Sequence, residues 1–199
     1  MSRIIAGRRR GQKLTMPSGR GTRPTSDLVR ESAFNLVLAW AGTVGEPADE
    51  VLDRFSFLDL YAGSGAMALE AASRGAAPVV AVEKDRPTAA IARRNAHELS
   101  LDVTVVAAPV EGYLAENEAR PFDVAWLDPP YSVTSRHVAD VVRRVVSGGW
   151  LAADGLVVVE RSSRDEAPSW PEEMRTTWSR RYGETTLYFA TPDEGEQED

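Results

Sequence analysis

The sequence predicts an α/β protein built on a doubly wound, mostly parallel seven-stranded sheet that ends in an antiparallel hairpin. Three observations predict it. Short apolar runs bounded by turn residues alternate with helical runs from Phe57 to Glu160, the pattern of parallel strands joined by crossover helices. The run Phe57-Leu58-Asp59-Leu60-Tyr61 stops at the small-residue turn Ala62-Gly63-Ser64-Gly65 and gives way to helical Ala66-Met67-Ala68-Leu69-Glu70-Ala71-Ala72, so strand, tight turn and helix follow directly. Near the end, Met174 to Arg181 and Glu184 to Thr191 are β-rich runs separated by Tyr182-Gly183, a hairpin whose last strand must run antiparallel to its neighbour.

Taken in order, Arg3-Ile4-Ile5-Ala6 and Lys13-Leu14-Thr15-Met16 flank Gly7-Arg8-Arg9-Arg10-Gly11 as a short hairpin with an outward-reaching, arginine-rich tip, and Pro17 to Gly21 is a connector. Thr25 or Ser26 caps a helix whose apolar face is Leu28, Val29, Ala33, Phe34, Leu36 and Val37, and a Gly/Pro/acid loop covers 42–50. After the central turn come strand Val79 to Glu83, a helix from about Pro87 to Leu99, strand Val103 to Ala107 and a short helix around Glu111 to Glu116. Strand Phe122 to Leu127, helix Thr134 to Val146 and strand Gly155 to Glu160 complete the alternation. This gives a basic arm over 1–22, a folded domain over 23–192 and an acidic tail over 193–199 that the composition marks as disordered.

Composition narrows the function classes. The chain has 199 residues, enough for one domain with a complete core. With no cysteine it has no thiolate nucleophile or zinc-thiolate site, and its two histidines, His97 and His137, fall in separate helices, so no metal is expected. There is neither an apolar signal core nor a membrane-length run, so the expected location is cytoplasmic. The net charge of -7 conceals an asymmetry: residues 1–30 carry eight of the 23 Lys or Arg and one of the 30 acids. A basic segment on an acidic body commonly meets a phosphate backbone, which makes Arg8, Arg9, Arg10, Lys13, Arg20 and Arg23 candidate RNA-binding residues; the alternative is a solvated surface attracted to the body.

The central turn has the chemistry of a nucleotide site. Gly63 can adopt positive φ, and Gly65 lacks a Cβ that would hold a ligand off the helix start. Glu83, twenty residues beyond Gly63, is placed to bind ribose hydroxyls. On the glycines alone, NAD and S-adenosylmethionine (SAM) are not separated. Asp59 separates them, because a carboxylate four residues before the first glycine would repel a pyrophosphate, whereas SAM carries an ammonium and a sulfonium.

A second motif, Asp128-Pro129-Pro130-Tyr131, follows strand residues Val124 to Leu127 and so belongs at the carboxyl edge of the sheet, where open α/β folds bind ligands. The two prolines have no N–H, so the loop presents the Asp128 carboxylate and backbone carbonyls with almost no competing donor. An acceptor-only surface suits an exocyclic amine: taking both its hydrogens frees the nitrogen lone pair from the ring and aims it at an electrophilic methyl. Tyr131 can stack on a flat base.

Arg23-Pro24-Thr25, Arg30-Glu31-Ser32-Ala33-Phe34-Asn35, Asp59-Leu60-Tyr61-Ala62-Gly63-Ser64-Gly65 and Asp128-Pro129-Pro130-Tyr131 together resemble the bacterial 16S ribosomal RNA guanine-N2 methyltransferase family, over about Arg3 to Thr191. The resemblance implies a Rossmann-like class I SAM-dependent methyltransferase fold, SAM as methyl donor, and a guanine N2 amine of small-subunit ribosomal RNA as acceptor. It places Asp59, Tyr61, Ala62, Gly63, Ser64 and Gly65 around the methionine part of SAM, Glu83 on the ribose, Thr25 at the cofactor border, and Asp128 to Tyr131 at the base. Similar proteins carry Asn or Asp where this chain has Ala107-Ala108-Pro109-Val110, so adenine recognition at Ala108 is expected to use backbone groups and apolar contact. The partner implied is the small ribosomal subunit or its RNA, met by a monomer. Three alternatives stay open: a DNA adenine-N6 or cytosine-N4 methyltransferase, an NAD-dependent oxidoreductase, and a non-catalytic RNA-binding factor.

Overall fold

Among the described residues, five α-helices and seven strands form where apolar periodicity, caps and turn residues place them. A computed structural model describes residues 2–17 and 26–192. The chain divides into two compact units, 1–109 and 110–199. In the first, α1 (Asp27–Ala41) is followed by β1 (Phe57–Leu60), α2 (Ala66–Ser73), β2 (Val79–Val82), α3 (Arg86–Glu98) and β3 (Thr104–Val106), and β1 pairs parallel with β2 and β2 with β3. All four residues of β1 are buried, as a strand covered on both faces requires.

The second unit holds α4 (Val110–Glu116), β4 (Phe122–Leu127), α5 (Ser135–Ser147), β5 (Leu151–Ser162), β6 (Thr176–Tyr182) and β7 (Thr185–Thr191). β4 and β5 are parallel; β7 is antiparallel to both β5 and β6, with Gly183 at φ 61 in the hairpin turn. The strands belong to a seven-stranded mixed sheet, ordered β3-β2-β1 in the first unit and β4-β5-β7-β6 in the second. Among the described residues no helix is long and apolar enough to cross a membrane.

Local chemistry explains the boundaries. Ser26 caps α1 by accepting from the Val29 amide, and Asp85 caps α3 by accepting from the Thr88 amide and hydroxyl, which holds its carboxyl below the usual range. Two boundaries and one face assignment stand apart from expectation. Tyr61, expected to end β1, has left the strand with φ 70 and begins the turn. β5 starts at Leu151 rather than Gly155, because a bulge absorbs the irregular stretch between the pairs Phe122↔Leu151 and Val124↔Leu156. Leu28, assigned to the apolar face of α1, is 68% exposed; the buried face is Val29, Arg30, Ala33, Phe34, Val37 and Leu38.

The N-terminal hairpin is real but is not a free arm. One antiparallel bridge, Arg3↔Lys13, is followed by a single 3-10 turn, Gly7–Arg9, rather than by two full strands. Ile4 and Leu14 are buried, each contributing about 1.5–3 kcal/mol of apolar burial. The fully buried Glu70 carboxylate on α2 then accepts from the amides of Ile5 at 2.8 Å and Ala6 at 2.9 Å, while Arg74 donates to it at 2.9 Å and the Arg30 guanidinium lies 3.8 Å away. Arg30 in turn donates to the Arg3 carbonyl. Gly7 must be glycine here: it has φ 78, and a Cβ would fall 1.9 Å from the Ser73 carbonyl oxygen.

Candidate active site

The turn between β1 and α2 is held in an unfavourable backbone shape by a polar network. Tyr61, Gly63 and Gly65 all have positive φ (70, 56 and 82), and for a bulky residue such as Tyr61 that conformation is costly unless its surroundings enforce it. Enforcement comes from three sides. The Ala62 amide donates to the Val82 carbonyl at 2.9 Å, the Gly63 amide to Glu83 Oε2 at 2.9 Å, and the Ser64 carbonyl accepts from Asn95 Nδ2 at 3.0 Å.

The two glycines have different tasks. A Cβ on Gly65 would sit 3.3 Å from Ala92 Cβ and 3.4 Å from Leu69 Cδ1, so Gly65 lets α2 and α3 pack closely. Nothing lies within 4 Å of a Cβ position on Gly63, which leaves a cradle over the turn. Asp59 is 1% exposed, and its Oδ2 accepts from the Ala68 amide in the first turn of α2 at 3.1 Å. A buried carboxylate beside an open glycine cradle fits a cationic amino acid moiety and does not fit a pyrophosphate. The residues therefore fit SAM, with Asp59 also anchoring the helix start, a role its sequence position alone did not reveal.

Glu83 is half-buried, with Oε2 on the Gly63 amide and Oε1 accepting from Asp85 at 2.8 Å. Each carboxylate oxygen accepts two bonds, so both retain capacity for ribose hydroxyls. Ala108 differs from expectation in one respect. Its amide already donates to the Glu83 carbonyl at 3.1 Å, so only its carbonyl and methyl group can face an adenine.

The hairpin reaches the same turn through Asn95, a residue sequence reasoning passed over. Its buried side chain accepts from the Thr15 amide at 2.9 Å and donates to the carbonyls of Thr15 and Ser64, while the Ser64 hydroxyl lies 3.3 Å from Met16 Sδ. The signal was a polar residue on the apolar face Ala89, Ala92, Ala96 of α3. Of the candidate RNA-binding residues, Arg10 and Lys13 are exposed. Arg8 is exposed too, but one of its nitrogens donates to the Ala72 carbonyl at 3.0 Å, and the Arg9 amide donates to Ser73 Oγ, so this part of the tip is turned onto α2 rather than wholly outward. Arg20, Arg23 and Thr25 lie outside the described residues, as do 18–21 of the connector and the tail 193–199.

In the second unit, Asp128 to Tyr131 follow directly on β4. Pro129 is buried, Asp128 and Pro130 are half-buried, and Tyr131 is 62% exposed, an aromatic ring presented to solvent. The Val133 amide donates to the Pro130 carbonyl at 2.8 Å, closing a turn, and Thr134 caps α5 by accepting from the His137 amide. Among the described residues no cluster of three or more His, Asp or Glu could hold a metal ion.

The seven-stranded sheet with its antiparallel C-terminal strands is the class I SAM-dependent methyltransferase fold. Residues 2–191 match the family described as Conserved hypothetical protein 95, and the chain belongs to that family. It is 34% identical over 170 residues to the Escherichia coli K12 protein named Ribosomal RNA small subunit methyltransferase D, covering 85% of this chain and 79% of that one. A Haemophilus influenzae protein of the same name is 32% identical over 85% of this chain and 83% of its own. Among solved structures, the E. coli protein yhhF superposes with a TM-score of 0.80 at 28% identity, over 96% of this chain and 97% of that one. A Thermus thermophilus 16S rRNA N2 G1207 methyltransferase, solved with AdoMet and guanosine, shares the fold at TM-score 0.61 and 22% identity, over 88% of this chain and 44% of its own.

Proposed function

We propose that this protein is a SAM-dependent methyltransferase that methylates the exocyclic N2 amine of a guanine in 16S ribosomal RNA. The observation that carries the reading is the identity to small-subunit RNA methyltransferases across most of the chain, and the Asp128-Pro129-Pro130-Tyr131 motif has a chemistry that suits an amine acceptor. Bound SAM supplies an electrophilic methyl on a sulfonium.

Every other part of the mechanism falls to the chain. Asp59 counters the ammonium of the donor's amino acid moiety, the turn Tyr61 to Gly65 lets backbone approach it, and Glu83 takes the ribose hydroxyls. Asp128 and the Pro129 and Pro130 carbonyls accept the two amine hydrogens, so that the nitrogen lone pair turns out of conjugation with the ring. As the nitrogen lone pair takes the methyl and the methyl–sulfur bond breaks, the donor would leave as a neutral thioether and the amine proton would pass to the Asp128 carboxylate. Tyr131 stacks on the guanine. A guanine N2 lies in the minor groove and is normally engaged in pairing, so the base must be unpaired or extruded, at a cost of a few kcal/mol. Arg10 and Lys13, with Arg8, Arg9, Arg20 and Arg23, offset that cost by holding phosphates. The enzyme works as a cytoplasmic monomer without a metal.

Transfer of labelled methyl from SAM to small subunits lacking the modification, followed by mapping of the nucleotide, tests this. Label on a guanine N2 of 16S RNA is the expected result; label only on DNA adenine or cytosine would reverse the choice of acceptor.

A further inference from the structure

The second unit buries an arginine that neither the core nor the sequence motifs account for. Arg161 stands near the carboxyl end of β5, directly after the fully buried run Leu156 to Val159 and Glu160, and is itself only 6% exposed. Its Nη2 donates to the Val133 carbonyl at 3.0 Å and lies 2.8 Å from Asp165 Oδ2, while its Nε and Nη1 are buried without a hydrogen-bond partner. A guanidinium removed from water with two nitrogens unsatisfied is a poor stabiliser, and an apolar side chain of similar volume often serves a fold better. What the arginine does achieve is geometric. Val133 is the residue whose amide closes the turn onto the Pro130 carbonyl, and the Thr134 cap of α5 follows it. Holding the Val133 carbonyl therefore pins the far end of the loop whose near end is fixed by β4.

We propose that Arg161 is the positioning residue of the acceptor loop: through the Val133 carbonyl it sets the angle at which Asp128, Pro129 and Pro130 present their oxygens to the target amine. The proposal rests on the reading of Asp128 to Tyr131 as the amine-binding loop. Arg161 touches no reacting atom; it removes the freedom of a six-residue segment between Leu127 and Thr134 that would otherwise lose alignment. Misplacement of about 1 Å in such a group costs about 10²-fold in rate. Lysine would not substitute fully, because its ammonium is a more strongly hydrated point charge on a flexible stem, costlier to bury and less fixed in direction than a guanidinium.

The test is steady-state and single-turnover methyl transfer to unmodified small subunits by full-length Arg161→Met, Arg161→Lys and Asp128→Ala, beside calorimetric SAM binding, filter binding of RNA and thermal melting. Arg161→Met is expected to melt at or above the parental temperature, to keep both affinities within about threefold, and to lose about 10- to 100-fold in kcat, with partial recovery when guanidinium ion is added. Arg161→Lys is expected to fall between. A well-folded Arg161→Met with parental kcat, alongside an inactive Asp128→Ala, would overturn the positioning role and leave the acceptor loop standing. An active Asp128→Ala would instead remove the loop reading on which the proposal depends. Loss of SAM binding and kcat together would make Arg161 merely structural. Should Arg161→Met not fold, Arg161→Lys decides: lowered kcat with unchanged affinities supports the role, and parental kcat overturns it.

Discussion

The turn 61–65 and the loop 128–133 are both strand-end segments of the same sheet, yet they are held in shape by opposite means. The turn is enforced from all sides: three residues at positive φ, the carboxylates of Asp59 and Glu83 accepting amides on either flank, Asn95 closing the top, and Glu70 fastening the hairpin that supplies Thr15 and Met16. The loop is stiffened by two prolines and by one arginine contact beneath it, and leaves Tyr131 exposed. The difference matches what each would bind. A small cofactor rewards a prebuilt cradle, whereas a base arriving on a large RNA needs an open face with only its acceptors aligned.

The largest expected effect breaks the enforced side of that contrast. Glu70→Ala would leave Arg74 buried without its carboxylate, Arg30 with Asp27 alone and the Ile5 and Ala6 amides unanswered, a loss of about 3–5 kcal/mol that denaturant melts will read. Deleting 1–20 should likewise destabilise the first unit, so a truncation cannot isolate RNA binding. On the open side, Asp128→Ala should lower kcat on the order of 10²-fold with SAM affinity nearly unchanged, measured by single turnover and calorimetry.

Asp59 sharpens the comparison because it does two things at once. Asp59→Ala should weaken SAM binding by about 1.5–3 kcal/mol, and should also cost about 1 kcal/mol of stability through the lost Ala68 amide contact. Asp59→Asn keeps an acceptor for that amide and loses the charge, so its melting should recover while its affinity does not. Unchanged affinity in a folded Asp59→Asn would sink the argument for a cationic ligand. Smaller still, Arg10→Ala with Lys13→Ala should flatten the log–log salt dependence of RNA binding by about 0.7 to 0.9 per lost phosphate contact and leave SAM binding alone. The least effect concerns Asp85. Its folded pKa is depressed by the bonds from Thr88, so its help to α3 is present above the ordinary carboxylate range and is lost as pH falls through the lowered value; the protection of the Thr88 amide against exchange, relative to its intrinsic rate, should fall there.

Sequence periodicity and turn chemistry made most of the fold legible. The order of strands and helices, the strand-turn-helix at 57–73 and the C-terminal hairpin all follow from local signals, although the hairpin turn lies one residue later than expected, at Gly183-Glu184 with Tyr182 still in β6. What local signals cannot carry is partnership across the chain. Glu70 reads as an ordinary helix residue, and only packing shows that the amides of residues 5 and 6 end on it. Arg161 follows an apolar run, where a charged residue reads as the end of a strand instead of one more buried position. Leu28 misled in the other direction: its helical spacing is right, but it stands at the first turn of α1, beyond the edge of the buried face. In the candidate site, residue types and spacing pointed to Asp59, Glu83 and the two glycines; that Gly63 borders open space while Gly65 packs against Ala92 and Leu69 required coordinates.

The Glu70 anchorage also dictates a schedule during synthesis. The hairpin is made well before the groups that hold it: the Glu70 carboxylate lies 64 and 65 residues after the amides it accepts from, and the Asn95 side chain lies 80 residues after Thr15. Until α2 and α3 have emerged, Ile4 and Leu14 have no core to enter and the amides of Ile5 and Ala6 no carboxylate to meet. The segment therefore waits as an unpaired basic thread and docks late, a non-local closure made after the central turn exists. A growing chain thus exposes this cationic segment to the RNA-crowded surroundings of translation before the central turn can hold a cofactor.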